Sequence, residues 1–349
     1  MPQPVIQGLL PSAGIEAGEV VITCEDFAFS TYDQVRVTFG GVETRPISAS
    51  ATRVVAPVPS NTLLDGKVSV ALDVEGAISN GFDFVIGRRL AENLHPVANP
   101  AIDFDSGAIY ATLSGSRGQK VPVSVYKITP QGETEPFLSD IVNPTGIAFS
   151  PDGEMFVSSR YDGNVYRVTP FKECEVFARN LGVATGIVFD AEGRMYVGDR
   201  SGTIYVINDL GEASTFAAME PSVSAYHFAF GPDGYLYATG PTLSSFDAVM
   251  KISPEGEVER FFSGLGRPQG LAFDRNGNLY VAASRRGHRG IIKITPNAEA
   301  EVFVAGNSLV GLCIDDRGNM IVASTHANNQ GSSGELYLSS VGVEGYRVF

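Results

Sequence analysis

Three arginines follow comparable short strand-like segments and are the most distinctive charged side chains for binding chemistry. Arg160, Arg200 and Arg285 come directly after, or one residue beyond, segments such as Met-Phe-Val-Ser-Ser and Leu-Tyr-Val-Ala-Ala. Guanidinium groups brought to one place bind carboxylates or phosphates through paired hydrogen bonds. An arginine at the start of a loop is also commonly solvated and paired with a neighbouring acid, so both interpretations stay open.

A second set of side chains could transfer protons. His227, with Asp199 and Tyr226, forms a candidate acid–base pair for hydrolysis or elimination. A single histidine in a strand is also often a hydrogen-bonded core residue. The chain has no Gly-x-Ser-x-Gly elbow, phosphate loop or dinucleotide fingerprint, so the sequence gives no support to the common nucleophile and nucleotide chemistries.

Metal and disulfide chemistry have little support in the residue types. Cys24, Cys174 and Cys313 are far apart, and each lies in an apolar, strand-like run, which favours buried free thiols over disulfides. There is no Cys-x-x-Cys pair, and the four histidines are scattered, which argues against a zinc site. We therefore expect no metal site and no cofactor.

The elements that must position these side chains are repeated. The phrase Gly-Ile-Ala-Phe-Ser-Pro-Asp-Gly-Glu-Met-Phe-Val begins at Gly146, close copies begin at Gly186 and Gly270, and weaker copies begin at Ala101, His227 and Gly311. A period of about 40 residues, with several short strands in each unit, is typical of a β-propeller. The inner strands are expected to start at Ile102, Ile147, Ile187, Phe228, Leu271 and Leu312, which gives six blades.

Each repeat also carries a turn and aromatic positions that need no functional explanation. Asp152, Asp233 and Asn276 each precede a glycine, as a tight hairpin with positive φ requires, and turn formation is favoured over metal binding. Phenylalanine and tyrosine recur once per unit because adjacent sheets need large residues between them. These aromatic rings are predicted to pack between blades.

Candidate ligand residues are expected on one face of the propeller, where loops enter each inner strand and leave each second strand. The charged candidates there are the three arginines. The remaining candidates for ligand binding are Asn143, Thr185, Gln269 and His326.

The ends of the propeller predict how the ring closes. Gly345 to Phe349 matches the outer-strand phrase Glu-Val-Phe at Glu301 to Phe303, so the last blade is expected to end there. Arg88 to Leu94 resembles the end of an outer strand and is expected to overlap the last blade as a latch. A latch is needed because an open ring would leave exposed sheet edges.

Over roughly residues 90 to 349 the repeats resemble NHL-type blades and, more distantly, the senescence-marker, gluconolactonase and paraoxonase group of six-bladed propellers. The closest phrase is Val310-Gly-Leu-Cys-Ile-Asp-Asp-Arg-Gly-Asn. The resemblance to these hydrolases implies a divalent cation, such as calcium, at the channel mouth, held by Glu, Asn and Asp side chains. This chain has the uncharged residues Thr145, Thr185, Gln269 and Val310 at the positions before the leading residue of each repeat.

Residues 4 to 86 read as a small antiparallel sandwich. Pro-Val-Ile-Gln-Gly-Leu-Leu-Pro-Ser-Ala-Gly is followed by Val-Val-Ile-Thr-Cys-Glu-Asp-Phe, Val-Thr-Phe-Gly-Gly-Val and Gly-Lys-Val-Ser-Val-Ala-Leu. This wording resembles the immunoglobulin-like IPT/TIG domain, whose members serve as spacers, dimerisation modules or binding modules. We therefore predict an all-β chain with a sandwich at 1–87 and a six-bladed propeller at 88–349, and a homo-oligomer through the first domain is one expectation.

The charge and hydropathy of the chain limit the classes of partner that it is expected to bind. The formal charge of −14 opposes binding to phosphate backbones and to anionic membranes, so nucleic acid and membrane insertion are not expected. No apolar run is long enough to span a bilayer, and the N-terminus lacks the features of a signal peptide. The expectation is a soluble cytoplasmic protein, or an extracytoplasmic one if a leader was removed.

Three functions are consistent with the sequence. The first is a binding or scaffolding protein whose propeller face holds a protein partner or a small anionic ligand, with the IPT/TIG-like domain as spacer or association module. The second is a gluconolactonase-like hydrolase acting on a sugar lactone or related ester, which would need a divalent cation as Lewis acid. The third is a metal-free lyase or isomerase that uses His227 and the arginines. The uncharged residues at the channel mouth favour the first.

Overall fold

The computed structural model describes residues 3–25, 29, 31, 34–60, 64–244, 247–328 and 331–349, without the side chains of 326–328, 331 and 332. Every helix or strand assigned in these ranges is a β-strand, which confirms the predicted all-β class. No helix in the described part of the chain is long and apolar enough to cross a membrane.

The N-terminal unit is a two-sheet sandwich. One sheet has the order β1-β3-β7-β6, and the facing sheet has the order β2-β10-β8-β4-β5, with β9 on β8. Alternate residues of each strand point between the sheets, and Ile22, Phe39, Leu72 and Phe84 are buried there. The strands are β1 (Val5–Leu10), β2 (Ala13–Gly14), β3 (Glu19–Glu25), β4 (Val35–Phe39), β5 (Val42–Thr44), β6 (Ser48–Ser50), β7 (Arg53–Pro57), β8 (Gly66–Val74), β9 (Ala77–Ile78) and β10 (Phe82–Ile86).

The remaining strands form six four-stranded antiparallel sheets, the blades, each running from an inner to an outer strand. Blade 1 contains β12 (Ala101–Ile102), β13 (Ile109–Thr112), β14 (Val125–Ile128) and β15 (Thr134–Leu138); blade 2 contains β16 (Pro144–Phe149), β17 (Met155–Ser159), β18 (Val165–Val168) and β19 (Cys174–Ala178); blade 3 contains β20 (Ala184–Phe189), β21 (Met195–Asp199), β22 (Thr203–Ile207) and β23 (Ala213–Ala218). Blade 4 contains β24 (His227–Phe230), β25 (Leu236–Thr239), β26 (Asp247–Ile252) and β27 (Val258–Leu265); blade 5 contains β28 (Leu271–Phe273), β29 (Leu279–Arg285), β30 (His288–Ile294) and β31 (Ala300–Ala305); blade 6 contains β32 (Leu309–Ile314), β33 (Met320–Asn328), β34 (Gly331–Ser339) and β11 (Arg88–Leu94).

The ring is closed by a strand from the start of the propeller. The outer strand of blade 6 is β11, which pairs antiparallel with β34, as the latch prediction required. Leu90 and Leu336 of blade 6 pack in one cluster with Ile102 and Ile128 of blade 1. The closure therefore buries apolar surface and covers the edge of the last sheet.

The prediction that residues 345–349 end the last blade is wrong. This segment instead lies beside the inner strand of blade 5, where Asp274 forms a bridge with Gly345 and the Tyr346 amide donates to the Phe273 carbonyl at 2.9 Å. Since β11 already occupies the outer edge of β34, the segment that follows β34 has no free edge there to join. We call residues 345–349 the C-terminal tail.

The turn and packing predictions are confirmed. Gly153, Gly234 and Gly277 all have φ between 77° and 79°, as the hairpin turns demand. Edge-to-face aromatic pairs join blades 1 to 5 in succession, with ring centroids 4.8 to 5.6 Å apart: Tyr110 with Phe149, Phe156 with Phe189, Tyr196 with Phe230 and Tyr237 with Phe273.

The sandwich is joined to blade 5 by backbone pairing. Strand β2 pairs in parallel with β10 on one side and, through Gly14, with Ala305 of β31 on the other. The Ile15 amide donates to the Ala305 carbonyl at 2.9 Å, and the Ile15 side chain is buried among residues of blades 5 and 6. One continuous sheet therefore runs from blade 5 into the N-terminal sandwich.

Candidate functional site

Arg160 lies at the loop face, which we define as the face formed by the loops that enter inner strands and leave second strands. It follows β17, its amide donates to the Asn143 carbonyl at 3.2 Å, and its Nη2 donates to the Gly115 carbonyl at 3.2 Å. Its Nε is buried with no hydrogen-bond partner among the described residues. Burial, and then the neighbouring Arg200 charge, lower the pKa of Arg160.

Arg200 occupies the equivalent place in blade 3, since it follows β21 as Arg160 follows β17. Its Nη2 donates to the Val223 carbonyl at 3.3 Å, and its Nε donates to the Ser222 carbonyl at 3.5 Å. Within the described ranges, neither arginine forms an ion pair with a carboxylate. The structure thus places two of the three predicted arginines at equivalent positions of neighbouring blades, near enough for the charge of Arg200 to lower the pKa of Arg160, and neither has an acidic partner in the described ranges.

Arg285 is placed elsewhere. The β29–β30 hairpin is extended, so Arg285 pairs with His288 near its tip, and the guanidinium lies 6.0 Å from the ring centre of Phe262. Blade 5 lies opposite blade 2 in a ring of six. Arg285 is therefore not part of the pair formed by Arg160 and Arg200.

The uncharged candidates near the arginine pair hold the loops. Asn143 is buried at a φ of 47°; its Oδ1 accepts from the Gly118 amide at 2.7 Å and its Nδ2 donates to the Gly115 carbonyl at 2.8 Å. The Thr185 hydroxyl donates to the Gly198 carbonyl at 2.9 Å. Asn143 therefore holds the loop whose Gly115 carbonyl accepts from Arg160, and Thr185 holds the end of the strand that precedes Arg200.

The two remaining candidates lie on other blades. Gln269 is half-buried. Its backbone N–H donates to the Ala282 carbonyl at 2.9 Å, and its backbone carbonyl accepts from the Thr239 hydroxyl. The backbone of His326 belongs to β33, and its side chain lies outside the described part of the structure.

His227, Asp199 and Tyr226 are not joined by hydrogen bonds. Asp199 accepts from the Val183 amide at 2.7 Å and from the Ser201 hydroxyl, while the Tyr226 hydroxyl donates to the Glu220 carbonyl. Burial raises the pKa of Tyr226 to about 12. His227 is only 2% exposed, neither ring nitrogen has a partner among the described residues, and burial lowers its pKa to about 3.

The donor set at the loop face does not fit a divalent cation. No group of three or more His, Cys, Asp and Glu side chains gathers anywhere in the described ranges. Thr145 and Thr185 direct their hydroxyls to backbone carbonyls, and Val310 has no ligating atom. A hard cation needs several oxygen ligands with negative charge, which these positions do not supply.

A cavity of roughly 500 Å³ fills the centre of the ring. Its lining includes inner-strand residues from all six blades, His227 at the start of β24, and Tyr346 to Phe349 of the C-terminal tail. The tail was missed by the sequence analysis because its pattern matches an outer strand. We call this space the channel cavity.

Comparison with known proteins agrees with the two-part architecture. Residues 4–86 match the IPT/TIG domain model. No curated protein sequence shows significant similarity to the chain. The chain is thus an all-β protein with an N-terminal IPT/TIG domain and a C-terminal β-propeller.

Solved structures share this fold at low sequence identity. An auxiliary nutrient binding protein from Bacteroides thetaiotaomicron is 14% identical, with a TM-score of 0.52 over 96% of this chain and 97% of its own. A gluconolactonase from Xanthomonas campestris is 14% identical, with a TM-score of 0.59 over 72% of this chain and 89% of its own. Regucalcin, a calcium-binding protein from Agrobacterium tumefaciens, is 15% identical, with a TM-score of 0.57 over 74% of this chain and 95% of its own. The propeller therefore resembles NHL and gluconolactonase-like propellers.

Proposed function

We propose that the protein is a binding protein whose loop face holds a small anionic ligand, a carboxylate or a phosphate, between Arg160 and Arg200. The observation that carries this proposal is that two arginines at equivalent positions of neighbouring blades have no carboxylate partner in the described ranges. Two like charges near each other repel, and an anion between them converts that repulsion into two charge-assisted interactions.

Local geometry supports a preformed site. Each guanidinium is held by backbone carbonyls, Gly115 for Arg160 and Val223 for Arg200, which use only part of its donors. The Nε–H of Arg160 is buried and has no hydrogen-bond partner in the described ranges, so it is free to donate to an oxygen of a bound anion. Held side chains lose less entropy when a ligand binds, so the site is preorganised.

The net negative charge of the chain determines which forces can bring an anion to the arginine pair. The protein carries a formal charge of −14, so long-range attraction does not draw anions to its surface in general. Binding must therefore rely on short-range hydrogen bonds at the arginine pair. The likeness in fold to an auxiliary nutrient binding protein over nearly the whole chain supports a binding role. The donor set described above disfavours the alternative, a cation-dependent lactonase.

The test is isothermal titration calorimetry with citrate and inorganic phosphate. Arg160→Met and Arg200→Met keep the apolar stem and remove the charge, while Arg285→Met is the matched control on the opposite blade. Loss of one charge-assisted hydrogen bond is worth about 1.5–3 kcal/mol, so we expect each site variant to weaken binding by about 10-fold to 150-fold. Binding that survives both substitutions, or the absence of binding to the unmodified protein, would refute the proposal.

A further inference from the structure

The channel cavity is closed at the end nearest the loop face. There the inner strands approach so closely that a Cβ on Gly146 would lie 2.7 Å from the Thr185 carbonyl oxygen, and one on Gly186 would lie 2.6 Å from that of Tyr226. On the other side of the ring, the side-chain amide of Asn99, before blade 1, donates to the Leu271 carbonyl of blade 5 at 3.0 Å and accepts from the Leu312 amide of blade 6 at 3.2 Å. These contacts form the floor of the cavity.

His227 is the exception in this floor. It stands where blades 2, 3, 5 and 6 have the leading glycine of the repeat, so only blade 4 places an imidazole there. His227 is one of the residues that line the cavity, it is only 2% exposed, and both of its ring nitrogens are buried without a hydrogen-bond partner in the described ranges. A buried imidazole without hydrogen bonds costs free energy, which a ligand in the cavity would recover.

The walls are mostly apolar. At one level of the cavity, each blade contributes a partly exposed residue from its inner strand or, in blade 1, from the residue that follows it, and five of the six are apolar: Ala148, Val188, Ala229, Ala272 and Cys313, with Asp103 as the sixth. Asp103 directs its carboxylate to its own loop, where it accepts from the Asp105 amide at 3.1 Å and the Ser106 hydroxyl at 2.5 Å. The wall therefore offers few hydrogen bonds.

The open end lies on the side of the Asp-Gly hairpins, where the lining residues Asp105, Asp152 and Phe349 are exposed. The C-terminal tail crosses this end. The Arg347 guanidinium sits 4.0 Å from the ring centre of Phe104 in blade 1, and Val348 packs in the cluster of Phe228 and Val188. The cavity thus has an opening that is separate from the arginine pair.

We infer that the channel cavity binds an uncharged, largely apolar small molecule whose single hydroxyl or carbonyl group forms a hydrogen bond with His227. Its volume lies within the range of ordinary small-molecule sites, about 300–1,000 Å³, and it combines apolar walls with one polar group at depth, as such sites do. This site is distinct from the proposed anion site and does not depend on it.

The charges around the cavity favour an uncharged ligand. His227 is neutral at physiological pH because burial lowers its pKa, so it offers one N–H donor and one nitrogen acceptor but no charge. The lining has three aspartates, including Asp103 and Asp105, and one arginine, Arg347, so its net negative charge disfavours an anion, and a cation would lose its hydration against an apolar wall. A neutral hydroxyl or carbonyl avoids both costs.

The test uses 2-naphthol as the probe, naphthalene as the analogue without a hydroxyl group, and 2-naphthoate as the anionic analogue. Binding is measured by probe fluorescence, and the ring nitrogens of His227 are followed by NMR in protein labelled with [15N]histidine. We expect 2-naphthol to bind and to shift the His227 nitrogen resonances, and 2-naphthoate to bind at least 10-fold more weakly.

Three variants distinguish this site from others. His227→Phe keeps the ring shape without the nitrogens, so 2-naphthol binding should weaken by about 3-fold to 10-fold, the value of one hydrogen bond, while naphthalene binding is retained. Ala229→Phe fills the cavity at the wall and should abolish binding of both probes. Arg160→Met should change neither, so failure of the anion site leaves this result intact.

Three outcomes would overturn the inference: no binding of 2-naphthol up to 1 mM of added probe (about 4 kcal/mol of binding free energy), binding without a change at His227, or binding that survives Ala229→Phe. Thermal melting of each variant shows that it is folded. If Ala229→Phe does not fold, Ala272→Phe on the neighbouring blade provides the same test.

Discussion

Replacing His227 with phenylalanine should stabilise the ligand-free protein, and by an amount that grows as the pH falls. At neutral pH the variant removes an imidazole with two unpartnered buried nitrogens and fills the same space with a ring of similar shape. Leaving a buried polar group unsatisfied costs about 1–3 kcal/mol, so the variant should gain about that much.

The pH dependence has a definite sign. Burial lowers the pKa of His227 from 6.5 to about 3, so in acid the unfolded chain takes up a proton that the folded protein refuses. Protonation of the unfolded chain therefore costs the folded protein nothing above pH 6.5, and the protein loses stability progressively as the pH falls from 6.5 towards 3. At pH 5.0 the folded protein loses about 2 kcal/mol of stability from this residue. The reason is that pH 5.0 lies about 1.5 units below the pKa of an unfolded histidine, and each unit is worth about 1.4 kcal/mol.

The assay is urea denaturation at pH 7.5 and pH 5.0, followed by tyrosine fluorescence, since the chain has no tryptophan. The difference in free energy of unfolding between His227→Phe and the unmodified protein should be about 2 kcal/mol larger at pH 5.0. His288→Phe, at the exposed end of a hairpin, controls for a general effect of removing a histidine. An equal difference at both pH values would show that the pKa of His227 is not lowered in the folded protein. A variant less stable than the parent at pH 7.5 would show that the imidazole is hydrogen-bonded in solution.

Three further predictions concern the packing of the fold. Gly186→Ala should destabilise the protein by about 1–3 kcal/mol, because the new Cβ would lie 2.6 Å from the Tyr226 carbonyl oxygen. Gly8→Ala is the control: its Cβ would have no atom within 4 Å, so the free energy of unfolding should change by less than about 0.5 kcal/mol. Urea denaturation of the two variants gives both values. Burial raises the pKa of Cys24 and of Cys174 to about 11, so both thiols should react with a disulfide reagent at pH 8 far more slowly in the folded protein than in urea, and equal rates would contradict their burial. Ile15→Ala should cost about 2–5 kcal/mol and separate the melting of the two domains in calorimetry, since Ile15 is 1% exposed at their junction; an unchanged single transition would show that the junction does not couple them.

The sequence predicted those parts of the fold that depend on local patterns. The leading glycines, the Asp-Gly turns and the recurrent aromatic residues identify each blade because turn geometry and packing between neighbouring sheets recur in every repeat. The position of residues 345–349 was not predictable in this way. Its residues have the composition of an outer strand, but which edge a strand joins depends on which edges remain free, and β11 had already taken the edge of blade 6.

In the candidate site, too, the sequence predicted the features that follow from the repeat and not those that depend on tertiary structure. Arg160 and Arg200 could be placed together because they occupy equivalent positions in adjacent repeats. Arg285 could not be excluded from that pair, since the extension of its hairpin is set by pairing with residues 288 to 290 across the turn. The ring nitrogens of His227 have no hydrogen-bond partner in the described ranges, and this depends on tertiary packing that no pattern in the sequence reveals.

The N-terminal domain is anchored to the ring at two neighbouring points. Strand β2 continues the sheet of blade 5, and β10 leads after a single residue into β11, the closing strand of blade 6. Two attachments on adjacent blades leave the domain only one axis of rotation, the line that joins them, and the pairing of β2 on both of its sides resists that rotation. A partner bound to this domain would therefore also set the direction in which both faces of the propeller point, and a force applied to the domain would act on the β11–β34 pairing that closes the ring.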